Sequence, residues 1–163
     1  MSAAPILLRA ATPADTGALA AMLEAMNVED GQPQGRYSAE RVQRDGFGTA
    51  PAFAALLAFA GERAVGYALS LPFYNTELAR RGLYLLDLWV APPHRNRGIG
   101  RRLVAALARQ TVADGGASLW WTVRNGNQAA RRLYRALGAK DDDTRLLELD
   151  GAALDALAQT ARW

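Results

Sequence analysis

The chain has 163 residues, half of them hydrophobic and 21% charged, so it is long enough to bury one core and too apolar for wholesale disorder. It has no cysteine and one histidine, His94, which excludes disulfides, thiolate nucleophiles and thiolate metal sites and leaves too few ligands for a zinc centre. Nineteen Lys and Arg against sixteen Asp and Glu give a net charge of only +3, with Lys140 the sole lysine.

Ile6 to Arg9 reads as a short strand. Thr12-Pro13 then fits an N-cap and first helical position, and Leu19, Met22, Leu23 and Met26 continue as one apolar helix face. Glu29 to Gly35 is a polar, Gly/Pro-containing loop. Ser38 caps a second short helix that ends near Gly46. Phe53 to Ala60 and Ala64 to Tyr74 are two strands joined at Gly61-Glu62-Arg63 as a hairpin. Gly82 to Val90 is a long strand apolar on both faces, hence central in its sheet, and Pro92-Pro93 ends it. A glycine-rich turn over Arg95 to Gly100 opens a helix through Leu103, Val104 and Leu107 that stops at Asp114-Gly115-Gly116. Ser118 to Val123 is a further strand. Asn127 opens a helix bearing Ala130, Leu133, Tyr134 and Leu137, ended by Gly138. Asp141 to Asp143 reads as a turn, Thr144 to Leu149 as a last strand, and Gly151 to Ala158 as a final helix. The order β-α-α-β-β-β-α-β-α-β-α, without repeats or linkers, predicts one mixed α/β domain over residues 1–163.

The longest apolar run, Ala50 to Ala60, is too short to span a bilayer and contains Pro51. The start, MSAAPILLRAATPAD, lacks the features of a secretory signal. The expectation is a cytoplasmic protein with no membrane partner.

Two motifs carry chemistry. Arg95-Asn96-Arg97-Gly98-Ile99-Gly100 lies between a strand and a helix. N–H groups at a helix start lack intrahelical acceptors and carry partial positive charge, and glycine lets the backbone approach phosphate oxygens closely. With Arg95, Arg97, Arg101 and Arg102 beside it, the segment fits an anion cradle. It fits equally a glycine-rich turn with solvated arginines. It has neither the Gly-Lys-Ser/Thr ending of a P-loop nor the glycine spacing of a dinucleotide fingerprint. In the second motif, Asn127, Ala130 and Tyr134 are three and four residues apart and share a helix face. Asn127 can hydrogen-bond a ligand at the helix mouth. Tyr134 fits either that ligand or a core place with its hydroxyl hydrogen-bonded. The arginines cluster in two runs, Arg95 to Arg102 and Arg124 to Arg135, at two helix starts rather than along one stripe, so no nucleic-acid partner is expected.

Together, R-x-x-G-x-G after a strand and N-x-x-A-x-x-L-Y-x-x-L-G two elements later resemble the GNAT superfamily of N-acetyltransferases, with the order of elements matching end to end. More narrowly the chain resembles the diamine (spermidine/spermine-type) acetyltransferase branch. The matching pieces are Asp45-Gly46-Phe47-Gly48, Val65-Gly66-Tyr67-Ala68, Leu83-Tyr84-Leu85 followed by Asp87, and Leu137-Gly138-Ala139 with the tail from Leu149 to Leu157. One position departs: the branch has Glu-Asp after Leu-Tyr-Leu, where this chain has Leu86-Asp87.

The resemblance implies a single-domain α/β GNAT fold, its mixed, mostly antiparallel sheet splayed where acetyl-CoA, the co-substrate, lies. Pantetheine would pair with backbone at Leu88, Trp89 and Val90. The pyrophosphate would sit on the N–H groups of Arg97 to Arg101, in a cofactor site of Arg95, Asn96, Arg97, Gly98, Ile99, Gly100 and Arg101 that Asn127, Ala130 and Tyr134 would complete. No metal is implied. The implied reaction is direct acetyl transfer to a primary amine of a small polyamine- or amino-acid-like molecule. A protein lysine or N-terminus as acceptor, and a non-catalytic acyl-CoA-binding domain, are the alternatives. Tyr134 would be the acid for the leaving thiolate, a phenol of pKa about 10 matched to a thiol near about 8.5. Asp87 would take the ammonium proton through a water, attract the cation, or pair structurally with an arginine. Tyr84, Trp89, Trp120 and Trp121 are candidates for the amine pocket or for core. The branch also implies a homodimer.

Overall fold

The computed structural model describes residues 5–141 and 146–161. The chain forms two compact units that divide between Trp121 and Thr122.

The first unit is built on an open five-stranded sheet in the order β1-β2-β3-β4-β5. Strands β1 (Ile6–Ala10), β2 (Ala54–Ala60), β3 (Arg63–Asn75) and β4 (Arg80–Val90) pair antiparallel in sequence; β4 pairs parallel with β5 (Ser118–Trp121). The parallel step needs a crossover, and helix α3 (Ile99–Ala113) supplies it. Gly82 opens the β4–β5 pairing opposite Ser118. A Cβ there would stand 2.5 Å from the Ser118 carbonyl oxygen, so only glycine lets the two strands meet at this point.

Helices α1 (Thr16–Glu29) and α2 (Ala39–Phe47) cover one face of the sheet. Their Leu19, Leu23 and Val42 pack with Leu57, Tyr67, Leu69 and Trp89 in one buried cluster. The odd-numbered strand residues in that cluster face the helices together, as the two-residue period of a strand requires. Helix α3 buries Ile99, Leu103, Val104 and Leu107, none of them in that cluster, and contacts β3, β4 and β5. The second unit carries α4 (Gln128–Ala136) and α5 (Gly151–Ala158). Among the described residues no helix is long and apolar enough to cross a membrane.

The structure departs from the sequence reading at several places. Thr12 does not begin α1; Pro13–Asp15 forms one 3-10 turn first, and α1 starts at Thr16. Asp15 explains the extra turn. Its Oδ2 accepts from the Thr12 N–H at 2.7 Å and from Thr12 Oγ1 at 2.8 Å, while Arg9 Nη1 and Nη2 donate to its two oxygens at 2.7 and 2.8 Å. Strand β5 ends at Trp121, two residues short of Val123. Of the expected last strand, Thr144 and Arg145 lie outside the described residues, as do Asp142 and Asp143 of the turn before it. Leu146 to Asp150 carry no strand, because no ladder of the sheet reaches them and an unpaired strand has no hydrogen bonds to hold it.

The buried Asp15 carboxylate ties β1 to the entrance of α1, and the Arg9 guanidinium bonded to it holds its pKa well below the usual carboxylate range. A depressed folded-state pKa stabilises the fold above the unfolded-state value, near about 4, and the contribution fades as pH falls toward the folded-state value. Asp15→Asn is therefore expected to lower stability by about 2 kcal/mol at neutral pH. Urea melts from pH 7 to pH 3 check this: the gap between wild type and variant should narrow below about pH 4.

Candidate active site

The site begins where the sheet stops being a sheet. Pairing of β4 with β5 runs from Gly82 opposite Ser118 to Leu85 opposite Trp121 and ends there. On its other edge β4 stays paired with β3 to Val90 opposite Gly66. Between Leu85, opposite Ser70, and Asp87, opposite Leu69, Leu86 is an extra residue. This β-bulge bends and twists the strand, and bulges commonly re-aim groups beside functional sites. Beyond the bulge the peptide groups of β4 alternate between two edges. Ala91 N–H donates to the Val65 carbonyl at 2.8 Å on the β3 side, whereas the Val90 carbonyl accepts from Arg95 Nε at 2.7 Å on the opposite side. The alternation places the N–H and C=O of Leu88 on the open edge with those of Val90.

The polar edge is therefore offered by Leu88 and Val90. Trp89 plays a different part: its peptide faces β3, its indole is buried 6.2 Å from the Tyr67 ring, and its Nε1 donates to Glu29 Oε1 at 3.1 Å.

Downstream the chain turns sharply at Pro92–His94 and enters α3 through two left-handed residues, Asn96 at φ 59° and Gly98 at φ 75°. A change of backbone hand is how consecutive N–H groups come to line a concavity. The first helical bond runs from Arg102 N–H to the Gly98 carbonyl at 3.0 Å, so the N–H groups of Ile99, Gly100 and Arg101 have no intrahelical acceptor. The buried Ile99 side chain anchors this corner in the core. A Cβ built on Gly98 meets nothing within 4 Å, so the corner is open on that side. Helix dipole, exposed N–H groups and open approach together fit a diphosphate.

The arginines divide into two kinds. Arg95, expected to add charge beside the cradle, bonds Glu29 Oε2 at 2.6 Å and the Val90 carbonyl, and lies 6.0 Å over the Trp89 ring. It latches the end of β4 to the end of α1. Arg102 donates to the Ile6 carbonyl at 2.8 Å. Arg97 and Arg101 are exposed at the helix mouth.

A cavity of about 320 Å³ lies on the α1/α2 side of the bulge. Asp87 and Leu86 enter it from β4. Tyr37, Arg41 and Asp45 enter it from α2 and the loop before, and Leu23, Val42, Phe53 and Leu69 are its apolar walls. Tyr37 is held by Glu24, whose carboxylate accepts from Gly35 N–H at 2.5 Å and Tyr37 N–H at 3.1 Å. Burial, with the Asp87 charge second, pushes the Tyr37 phenol up, so it is a neutral hydrogen-bonding group. Burial likewise raises the Tyr67 phenol, which donates to Met26 Sδ at 3.2 Å.

Sequence reasoning located Asp87 but missed Tyr37, Arg41 and Asp45. The aromatics it considered, Tyr84, Trp89, Trp120 and Trp121, do not line the cavity; Trp120 packs on Phe73 at 4.8 Å. The one available signal was the four-residue spacing of Arg41 and Asp45 on a short capped helix.

In the second unit Asn127 caps α4: its Oδ1 accepts the Ala130 N–H at 3.0 Å, leaving Nδ2 as the amide donor for any ligand. Ala130 and Tyr134 follow on the same helix face. Arg131 and Arg135 both reach Asp141, at 2.7 and 3.2 Å, bracing the C-terminal end of the helix.

Residues 19–139 match the Acetyltransferase (GNAT) family. The chain belongs to this family. As a GNAT protein it is an acetyl-CoA-dependent N-acetyltransferase. It is 33% identical over 147 residues to a thialysine N-epsilon-acetyltransferase of Sus scrofa, a match covering 85% of this chain and 86% of that protein. It is 36% identical over 93 residues to an L-ornithine N5-acetyltransferase of Arabidopsis thaliana, covering 56% of this chain and 41% of that one. Among solved structures, an integron cassette protein from the mobile metagenome of V. cholerae superposes with a TM-score of 0.81 at 20% identity, over 95% of this chain and 98% of that chain, and shows the same fold.

A glutamate at position 98 would put an anion and a strained left-handed φ into the cradle at once. Gly98→Glu is expected to weaken acetyl-CoA binding at least a hundredfold in calorimetry; binding within threefold of wild type would remove this corner from the cofactor site.

Proposed function

We propose that residues 1–163 act as one catalytic domain that acetylates a small primary amine, using the open edge of β4 for acetyl-CoA and the cavity beside Asp87 for the acceptor. The observation that carries this reading is the juxtaposition on one strand. The Leu88 and Val90 peptide groups face the open edge, while Asp87, their neighbour, lines a half-open cavity of about 320 Å³. That volume is at the small end of small-molecule sites and far from a groove for a protein segment. The relatives named for acetyl transfer to thialysine and to L-ornithine support a small basic acceptor.

Acetyl-CoA supplies an acyl group already activated as a thioester. Leu88 and Val90 hold the pantetheine through backbone groups, and the N–H groups from Arg97 to Arg101 hold the diphosphate with Arg97 and Arg101 adding charge. The Leu88 N–H donates to the acyl oxygen as negative charge develops there. Asp87 attracts the incoming ammonium and accepts its proton through a water. By the family resemblance Asn127 and Ala130 are coenzyme-binding residues and the Tyr134 phenol is the acid for the departing sulfur. The chain has no cysteine, so no cysteinyl acyl-enzyme forms and the amine attacks directly. The reading includes a cytoplasmic homodimer, supported by the resemblance to the diamine acetyltransferase branch.

A free-thiol assay with acetyl-CoA against diamines, amino acids, aminoglycosides and lysine peptides tests the acceptor class. Thiol release with small amines and none with peptides is expected; the reverse pattern overturns the reading. Tyr134→Phe is expected to lower kcat at least tenfold with the KM for acetyl-CoA changed less than threefold. An unchanged kcat would remove Tyr134 from the acid role.

A further inference from the structure

The cavity beside Asp87 contains charge of both signs, and the two charges on α2 are not equivalent. Asp45 is already compensated. Arg44 Nε and Nη2 hold its two oxygens at 2.7 and 2.9 Å, and that pairing keeps its carboxyl below the usual range. Arg41, one helical turn before Asp45, is differently placed. Its Nη1 donates to the Arg36 carbonyl at 2.9 Å, and among the described residues no carboxylate closes an ion pair with it. A guanidinium presents five N–H groups in a planar fork whose best partner is a carboxylate. One backbone carbonyl leaves most of that fork for another acceptor. Arg41 and Asp87 line this cavity together with Leu23, Val42, Phe53 and Leu69, which suit methylene groups, and Leu86 adds to them where a second acid would favour a polycation.

We propose that Arg41 receives the carboxylate of the acceptor, so that the enzyme selects diamino acids, an α-carboxylate at one end of a short aliphatic chain and a reactive amine at the other, over polyamines. The proposal rests on the reading of this cavity as the acceptor site. The distal nitrogen forms the new N–C bond and the thioester C–S bond breaks; the nitrogen gives up two protons, one through the water at Asp87 to solvent and one that replaces the proton Tyr134 gives to the sulfur, which leaves as a thiol. A polyamine would bring only cations toward Arg41, whereas the zwitterionic end of a diamino acid brings its own counter-charge.

The test compares pairs of acceptors that share the reacting end and differ in the carboxylate: L-ornithine with putrescine, and L-lysine with cadaverine. The wild-type enzyme is expected to show a kcat/KM at least tenfold higher for the amino acid of each pair. Arg41→Gln should collapse that ratio to within threefold, mainly through KM for the amino acid, and Arg41→Lys should restore part of it. Retained acetyl-CoA binding checks that the variants are folded. Should Arg41→Gln not fold, L-ornithine against L-ornithine amide in the wild type removes the carboxylate from the ligand instead, with a tenfold loss expected. A wild-type preference for the diamines, a ratio that Arg41→Gln leaves in place, or an amide as good as the acid overturns this proposal while the acceptor reading stands. Thiol release with none of these amines overturns both.

Discussion

The structure depends on a separation: β4 and β5 pair over four residues and then part. Everything on the cofactor side follows from that. Up to Leu85 the strand has neighbours on both edges; beyond the Leu86 bulge it has β3 on one edge only. Of the Leu88 and Val90 peptide groups freed in this way, the Val90 carbonyl is taken by Arg95, and the others cannot be left unsatisfied without cost. A sheet edge inside a domain is ordinarily a liability. Here it is short, bent by the bulge and flanked by a helix start, which restricts what can pair with it.

An exposed edge is useful only if it is rigid, and the latch at Arg95 makes it so. Its guanidinium joins the Val90 carbonyl to Glu29, Glu29 also accepts from the Trp89 indole, and Trp89 packs on Tyr67 in the core cluster. The end of β4, the end of α1 and the entry to α3 are thus fixed by one charged group half in solvent. Such an ion pair contributes little in isolation. Its value here is that the same guanidinium also satisfies a strand carbonyl, so the strand end cannot move without breaking both contacts.

This arrangement explains which parts of the molecule were legible in the sequence. Local signals held: the hairpin at Gly61, the Ser38 cap, the prolines ending β4 and the glycine hinge before α3 are all short-range chemistry. Long-range partnerships were not legible. Nothing local announces that Arg95 will meet Glu29, 66 residues away; its place beside a glycine-rich turn signals only an anion-binding arginine. The cavity failed for the same reason, because Tyr37, Arg41 and Asp45 meet Asp87 only once α2 lies on the sheet. The leucines at 146, 147 and 149 show the opposite error. Their alternation has strand character, but pattern gives a strand only where a partner edge accepts it.

The two halves of the site use different chemistry, and this bears on how they can vary. In the proposed reading the cofactor half is mainly backbone: peptide groups at Leu88 and Val90, helix N–H groups, and a glycine in the left-handed region where most side chains are strained. Backbone recognition tolerates side-chain change, which is why Leu86 can stand where the diamine branch has Glu without disturbing the edge beside it. The acceptor half is side chains on α2, the loop before it and the bulge, held against the sheet by a few apolar contacts and by Glu24 gripping the loop. Substituting one of those side chains changes the charge an acceptor meets but leaves the thioester site in place. In that reading the fold separates the grip on the thioester, mostly main chain at the open edge, from the choice of amine, which falls to a handful of replaceable side chains on the other side of the same strand.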